Sequence, residues 1–456
     1  MAKRFTYNKI FLLLTVAGIA QQAMAGGFQL WEQSGEVVGN YHAGVAAEAA
    51  DASTAWFNPA GLTRIHNQQF VLGLDPIVTN IKFRGTVNTN TAGFESSGLG
   101  PQYAVAPAGG FSLVPDMHYA APLTDSNSLV FGLSLVAPFG AKTDYSTNTD
   151  ARYGATDTWL KVMDLSPALG WAFNDKFSVG AGLDLERAEA EFDLVGGSPA
   201  LNTLLGGNYD GTAANTGYSS GYGYHLGALF QVTPTTRIGL TYHSPVVFKF
   251  HGNSRFDGLL SQFDPDTLAT LGLAFIPSTD QLSTKITTPA RTSLGFFHTI
   301  NPTWDVMGTL TYTQWNVFNQ IVLQNVSGLV PLGSGNSLTV TIPQNFHNTW
   351  TYAFGANYHA TEKCLLRGGL GYDQTPTNNR NRNLQLPDAD RIAVAMGTHY
   401  QATKTMGFDF GWTHYFIMNT RINNVTQTVG AQTTTVNGTV SSSADVYGLQ
   451  MTWDIV

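Results

Sequence analysis

The sequence predicts an all-β fold, a 14-stranded antiparallel transmembrane β-barrel, on three observations. Only 12% of the 456 residues are Asp, Glu, Lys or Arg, while aromatics reach 12% and glycines number 48. A typical soluble domain carries roughly 25% charged residues, so much of this surface is not built to face water. After residue 25 no stretch approaches the roughly 18 consecutive apolar residues of a membrane-spanning helix. The other regular structure that satisfies every backbone group in a bilayer is a closed barrel. From about Phe70 onward apolar and small polar residues alternate with period two, as strands require. A large soluble β-protein also alternates, but its polar face is usually charged; here that face is mostly Gly, Thr, Asn and Ser.

The chain opens with Lys3, Arg4 and Lys9, an apolar core at residues 10–20 and an Ala23-Met24-Ala25 cleavage site, the layout of a secretory signal. Residues 1–25 are therefore set apart from the fold. Their removal takes three of the 23 basic residues and none of the 31 acids, so the formal charge goes from −8 to −11. No basic patch points to nucleic acid. Residues 26–67 carry no strand pattern and close on the turn Asn58-Pro59-Ala60-Gly61.

Residues 68–456 read as the barrel. Strands are expected near 68–85, 109–122, 127–140, 157–174, 177–195, 221–233, 236–256, 280–300, 303–326, 347–361, 363–376, 390–402, 405–424 and 444–456. An even number is what bacterial outer-membrane barrels have. In the thirteenth, Met406, Phe408, Phe410 and Trp412 oppose Gly407, Asp409, Gly411 and Thr413. Tight polar turns, such as Asn174-Asp175 and Asn301-Pro302, alternate with long connections at 196–220 and 257–279. That asymmetry matches the periplasmic and extracellular ends of such a barrel.

The 257–279 loop is apolar for an exposed segment, with Leu259, Leu260, Phe263, Leu268, Leu271, Leu273 and Phe275. It reads either as a loop packed on itself over the barrel mouth or as a surface that collects a greasy ligand. Asp266 is a candidate cap for a short helix from Thr267. In the other long loop, Leu201, Leu204 and Leu205 are placed to complete an apolar groove.

Motifs of catalysis are missing. There is no HExxH, no paired Cys or His with metal spacing, no G-x-S-x-G and no P-loop. No enzyme activity, cofactor or metal is expected. His118, His225, His298, His359, His399 and His414 fall within strand runs and read as structural or lumen-lining. Gly180-Ala181-Gly182 lies inside a strand and marks tight packing. The single cysteine, Cys364, reads as a small apolar residue on a strand face.

Several segments resemble the FadL family of outer-membrane transporters of long-chain fatty acids and related hydrophobic compounds. They are the start GGFQLWEQSGEVVGNYHAGVAAEAADASTAWFNPAGL, VPDMHYAAPL at 114–123, APFG at 137–140 and YDQTPTNNRNRNLQLPDADR at 372–391. The resemblance spans essentially all of the chain after residue 25. It implies that residues 26–67 form a hatch, or plug, in the lumen, with Gly26, Gly27, Phe28, Gln29, Leu30, Asn58, Pro59 and Ala60 as its functional positions. It implies capture in a groove between the 196–220 and 257–279 loops, transfer to a lumen site near the hatch N-terminus, and lateral exit at a kink in the third strand. Pro138 and Gly140 are the candidates for that kink, because Pro cannot donate to the ladder and Gly tolerates unusual backbone angles. Breaking a ladder in lipid is costly unless protein or water satisfies the freed groups, so the kink is expected beside the hatch.

Arg187, Arg382 and Arg391 are candidates for meeting a charged head group, and equally for pairing with a carboxylate such as Asp388 or Asp390. Asn58 is the candidate to hydrogen-bond hatch to wall, at the kink near Gly140. The partners implied are a hydrophobic small molecule (a long-chain fatty acid, a detergent-like compound or an aromatic hydrocarbon), outer-membrane lipid and lipopolysaccharide, and the barrel-assembly machinery. The location implied is the bacterial outer membrane. The competing reading is a general diffusion porin for small polar solutes.

Overall fold

The computed structural model describes residues 26–92 and 100–455; the expected signal segment, residues 1–25, lies outside the described residues. The strands close into one antiparallel barrel of 14. In order these are Gln68–Thr91; Gln102–Pro107 continued by Phe111–Pro122; Leu129–Asp144; Asp157–Asn174; Phe177–Gly196; and Gly211–Thr233. The seventh to tenth are Thr236–His243 with Val246–Gly258, Thr279–Thr288 with Arg291–Asn301, Trp304–Thr313 with Gln320–Val326, and Leu338–Pro343 with Thr349–Thr361. Cys364–Asp373, Arg391–Gln401, Met406–Val429 and Gln432–Ile455 complete the ring. The last strand pairs with the first from Gln68↔Ile455 to Thr91↔Gln432, so no edge remains there.

Alternation sorts the side chains as expected. Phe408 and Phe410 are exposed on the outer wall, while Gly407, Asp409, Gly411 and Thr413 are buried inside. Trp171, Phe173, Phe177, Trp304 and Tyr358 are exposed beside the short turns at 175–176, 302–303 and 362–363, forming an aromatic girdle at that end. Among the described residues no helix is long and apolar enough to cross a membrane.

The seventh to tenth strands are each interrupted at one level, where His243, Arg291, Thr313 and Thr349 stand side by side. Pro245 and Pro289 lie in two of these interruptions, where a residue without an N–H is tolerated.

Several strands, the first, sixth, thirteenth and fourteenth among them, are longer than their alternation indicated. The thirteenth and fourteenth continue to a tight turn at Gly430 and Ala431. Their upper halves are held by hydroxyl pairs, Thr426–Thr435 at 2.9 Å and Thr428–Thr433 at 3.1 Å. Both faces there are rich in Thr, Asn and Gly, so no apolar period betrays the strand. The first strand reaches Thr91, and the sixth begins at Gly211. The connection expected at 196–220 is therefore confined to 197–210.

Residues 26–65 lie inside the ring, nearly all buried. Wall glycines let their backbone approach: a Cβ at Gly239 would meet the Ala46 carbonyl oxygen, and one at Gly180 would meet the Pro59 carbonyl carbon. The Gly-Ala-Gly run is thus the tight-packing site its sequence suggested.

Candidate functional site

Two external loops meet over the barrel mouth. In the first, the Ser198 hydroxyl accepts from the Leu201 amide at 3.2 Å and caps the helix Pro199–Leu205, which Gly206 ends in the left-handed conformation. In the second, the helix Pro265–Thr270 is capped by Asp264, whose carboxylate accepts from the Thr267 amide at 2.9 Å. The cap is thus not Asp266: Pro265 occupies the first helical position, and the cap must precede it. The strand Leu273–Ile276 then pairs with Gly328–Pro331 from the loop after the ninth strand.

Leu201, Leu260, Leu268 and Leu273 form one buried cluster with Leu329 and Ala431, and Leu205, Phe263, Leu271 and Phe275 pack against it. Leu204 is 58% exposed and Leu259 47% exposed, leaving apolar surface at the rim. Leu329 and Ala431 come from connections whose short apolar content gave no signal in the sequence.

Deeper in the lumen, the Phe28 ring is boxed by Trp315 (4.7 Å between centroids), Phe318 (5.1 Å) and Phe139 (5.8 Å). A small apolar cavity lies beside it, among Leu160, Phe192, Ile286, Ile321 and Leu386. Just before Phe28, the Gly26 amide donates to Asp373 Oδ2 at 3.1 Å and the Gly27 amide to Asp388 Oδ2 at 2.8 Å. Arg391, fully buried, bridges both carboxylates at 2.6 Å to Asp388 and 3.5 Å to Asp373. Burial pushes the Asp388 carboxyl above its ordinary range, against the pull of Arg391. Gly27 has φ 67°, and a Cβ there would lie 2.9 Å from the Trp315 ring, so only glycine fits.

The third strand explains where Phe28 to Leu30 go. It pairs with the second strand only from Met117↔Leu135 to Pro122↔Val130. On its other side the register with the fourth strand shifts between Val136 and Phe139, a bulge that contains Ala137 and Pro138. Beyond Leu135 the edge toward the second strand is taken up by the N-terminal segment. Gln29 bridges Phe139, the Leu30 amide donates to the Pro138 carbonyl at 3.0 Å, and the Gly140 amide donates to the Phe28 carbonyl at 2.9 Å. Gln33 Nε2 reaches the Ala137 carbonyl at 3.3 Å. The groups freed by the bulge are thus satisfied by protein, as membrane depth demands.

Residues 16–455 match the family described as outer membrane protein transport protein (OMPP1/FadL/TodX). The chain belongs to the FadL/TodX family of outer-membrane transport proteins. It is 27% identical over 450 residues to the long-chain fatty acid transport protein of Escherichia coli K12, covering 93% of this chain and 95% of that one. It is 26% identical over 482 residues to outer membrane protein P1 of Haemophilus influenzae, covering 98% and 99%. Its fold is similar to that of a Pseudomonas aeruginosa FadL homologue, with TM-score 0.80, 24% identity and coverage of 94% and 99%. A toluene transporter of Ralstonia pickettii, TbuX, is similar at TM-score 0.62 and 18% identity, covering 94% and 100%. Like its relatives, this FadL/TodX-family chain is an outer-membrane barrel.

Within this family member, the three arginines singled out have different fates. Arg187 stands on the outer wall with its guanidinium 4.5 Å from the centre of the Tyr218 ring, so strand parity keeps it out of the lumen. Arg382 is spent organising the 374–390 loop, donating to the Asp388 carbonyl at 2.7 Å and to Thr377 Oγ1 at 3.0 Å. Arg391 is held between two carboxylates, as above. Asn58 does join the N-terminal segment to the wall, but at the sixth strand and not near Gly140: its Nδ2 donates to the carbonyls of Ala46 (2.6 Å) and Ala228 (3.1 Å). Pro59 and Ala60 follow it in the 3-10 helix Pro59–Arg64. The sequence reading missed Phe139, Trp315, Phe318 and Asp373. Phe139 lay in plain view in the APFG motif, and Trp315 closes the inward-facing set of the ninth strand.

Proposed function

We propose that this chain takes up hydrophobic compounds passively across the outer membrane, with residues 26–67 acting as a hatch. The observation that carries the reading is the extended segment of Phe28 to Leu30, which bridges the broken edge of the third strand at Gln29 while Asp373 and Asp388 hold the two amides before it. A ligand arriving at Phe28 competes for the same aromatic box. Displacing Phe28 would pull Gln29 and Leu30 from the third strand and uncover a side opening between the second and third strands.

The rim between Leu204 and Leu259 supports capture from outside. Each buried CH₂ contributes about 0.8 kcal/mol, so an acyl chain follows an apolar path in preference to a watery one. The names of relatives, one for long-chain fatty acids and one for toluene, are consistent with a ligand drawn from long acyl chains or small aromatic hydrocarbons. The lateral route delivers either into the surrounding lipid, without an energy source and without catalysis. The porin reading has less support, because the lumen is occupied by residues 26–65.

Deleting residues 26–30 tests the proposal. The truncated barrel is expected to fold, migrating heat-modifiably on gels, and to lose regulated uptake of labelled oleate or toluene into cells. Normal uptake by a folded truncated barrel would refute a role for this segment.

A further inference from the structure

We propose that the barrel interior holds a divalent transition-metal ion of the zinc class, ligated by Asp184, His225 and His243 on the fifth, sixth and seventh strands. The ligand atoms of the three side chains lie within 4.8 Å of one another, and all three residues are buried. Two imidazoles and a carboxylate are a donor set that Zn²⁺ takes, with ligand atoms about 3.3 Å apart in a tetrahedral site, so small side-chain rotations suffice.

The surroundings are those of a ligating set. His225 Nε2 faces the Ala55 carbonyl at 3.0 Å. A carbonyl can only accept, so Nε2 carries the proton, and in the neutral ring the Nδ1 lone pair points toward Asp184, 2.7 Å away. Two acceptors do not stay at that distance without a cation or a proton between or beside them. The Ser166 hydroxyl donates to Asp184 Oδ1 at 3.1 Å. Ligating histidines and carboxylates are typically oriented in this way, by a backbone carbonyl and a hydroxyl behind them.

His243 supplies the independent sign. It is 6% exposed and stacks on His225 at 5.1 Å, yet among the described residues neither ring nitrogen meets a partner in hydrogen-bond geometry, although the Trp56 backbone lies near. A buried imidazole with a ring nitrogen left unserved is costly unless something binds it. Local charge agrees. Asp164 and Glu186 face each other on the adjacent strand pair, buried, with carboxylate oxygens left unpartnered. With Asp184 they make three carboxylates in a region where Arg291, beside His243 in the ladder, is the opposing cation. A dication improves that balance.

The ligands are contributed by three strands, so no sequence spacing reveals them, and the expectation of no metal came from searching for local motifs. Through the His225–Ala55 contact, the ion would also fasten the N-terminal segment to the wall.

The test uses the intact protein in detergent micelles, stripped with chelator and titrated with Zn²⁺ alone by calorimetry and metal analysis. One equivalent is expected to bind, and Co²⁺ in its place is expected to give the visible absorption of a four-coordinate site. His243→Asn and Asp184→Asn, each checked for heat-modifiable migration, should weaken binding by at least tenfold. The proposal fails if no stoichiometric Zn²⁺ binds, or if folded variants bind as the wild type does, which would assign the ion to surface imidazoles. If neither variant folds, the wild-type Co²⁺ spectrum decides, and a spectrum without four-coordinate absorption overturns the site.

Discussion

Asn58 serves three backbone groups with one amide: it donates to the carbonyls of Ala46 and Ala228 and accepts from the Ala60 amide at 3.1 Å. Only a short side chain with both donors and an acceptor can do this while capping the helix that Pro59 begins. Asn58→Ala should therefore loosen residues 46–60 by about 1–3 kcal/mol, the loss of a cap plus a buried carbonyl left without its donor. Asn58→Asp keeps the acceptor but loses both donations, so it should loosen the segment as well. Hydrogen exchange of these amides, with barrel melting as control, measures the effect. Unchanged protection in both variants would mean that Asn58 only fills space.

The third strand and the external loops are elements in which local sequence and tertiary context act together. Pro138 removes a donor from the ladder, and the bulge it shares with Ala137 exposes acceptors that the N-terminal segment takes up. The leucines of the 257–279 loop divide by position. Leu260 is buried at the centre of the loop cluster, whereas Leu259 is 47% exposed at its rim. Leu260→Ser should cost about 3 kcal/mol of loop packing, because it leaves a cavity and buries a hydroxyl, and the loop should become protease-sensitive. Leu259→Ser should leave the loop resistant to protease but weaken initial capture of an apolar ligand at low concentration. Equal capture by Leu259→Ser and wild type, read by fluorescent fatty-acid binding, would make the loop a lid and nothing more.

For the whole molecule, a barrel of this strand number is wide enough to conduct ions unless something fills it. With residues 26–65 inside, the intact protein should show little steady conductance in a planar bilayer, and removal of those residues should raise it to that of an open pore. A large steady conductance of the intact chain would favour the porin reading. The barrel itself was legible in the sequence, because a strand in lipid must alternate and every backbone group must pair. Strand number, the outer aromatic faces and the short-turn end follow from that constraint, and the two apolar loops could be read from their leucines alone. The polar upper halves of the last two strands escaped it, since above the membrane no apolar face is required. Pro138 could be singled out because its missing donor is a local property, whereas Gly140, singled out for unusual backbone angles, lies past the bulge without a positive φ. What occupies the broken edge, which carboxylates hold Gly26 and Gly27, and that Arg187 faces outward while Asn58 meets the sixth strand were decided by the closed ring. Those contacts join residues hundreds of positions apart, and only barrel closure, strand parity and register bring them together.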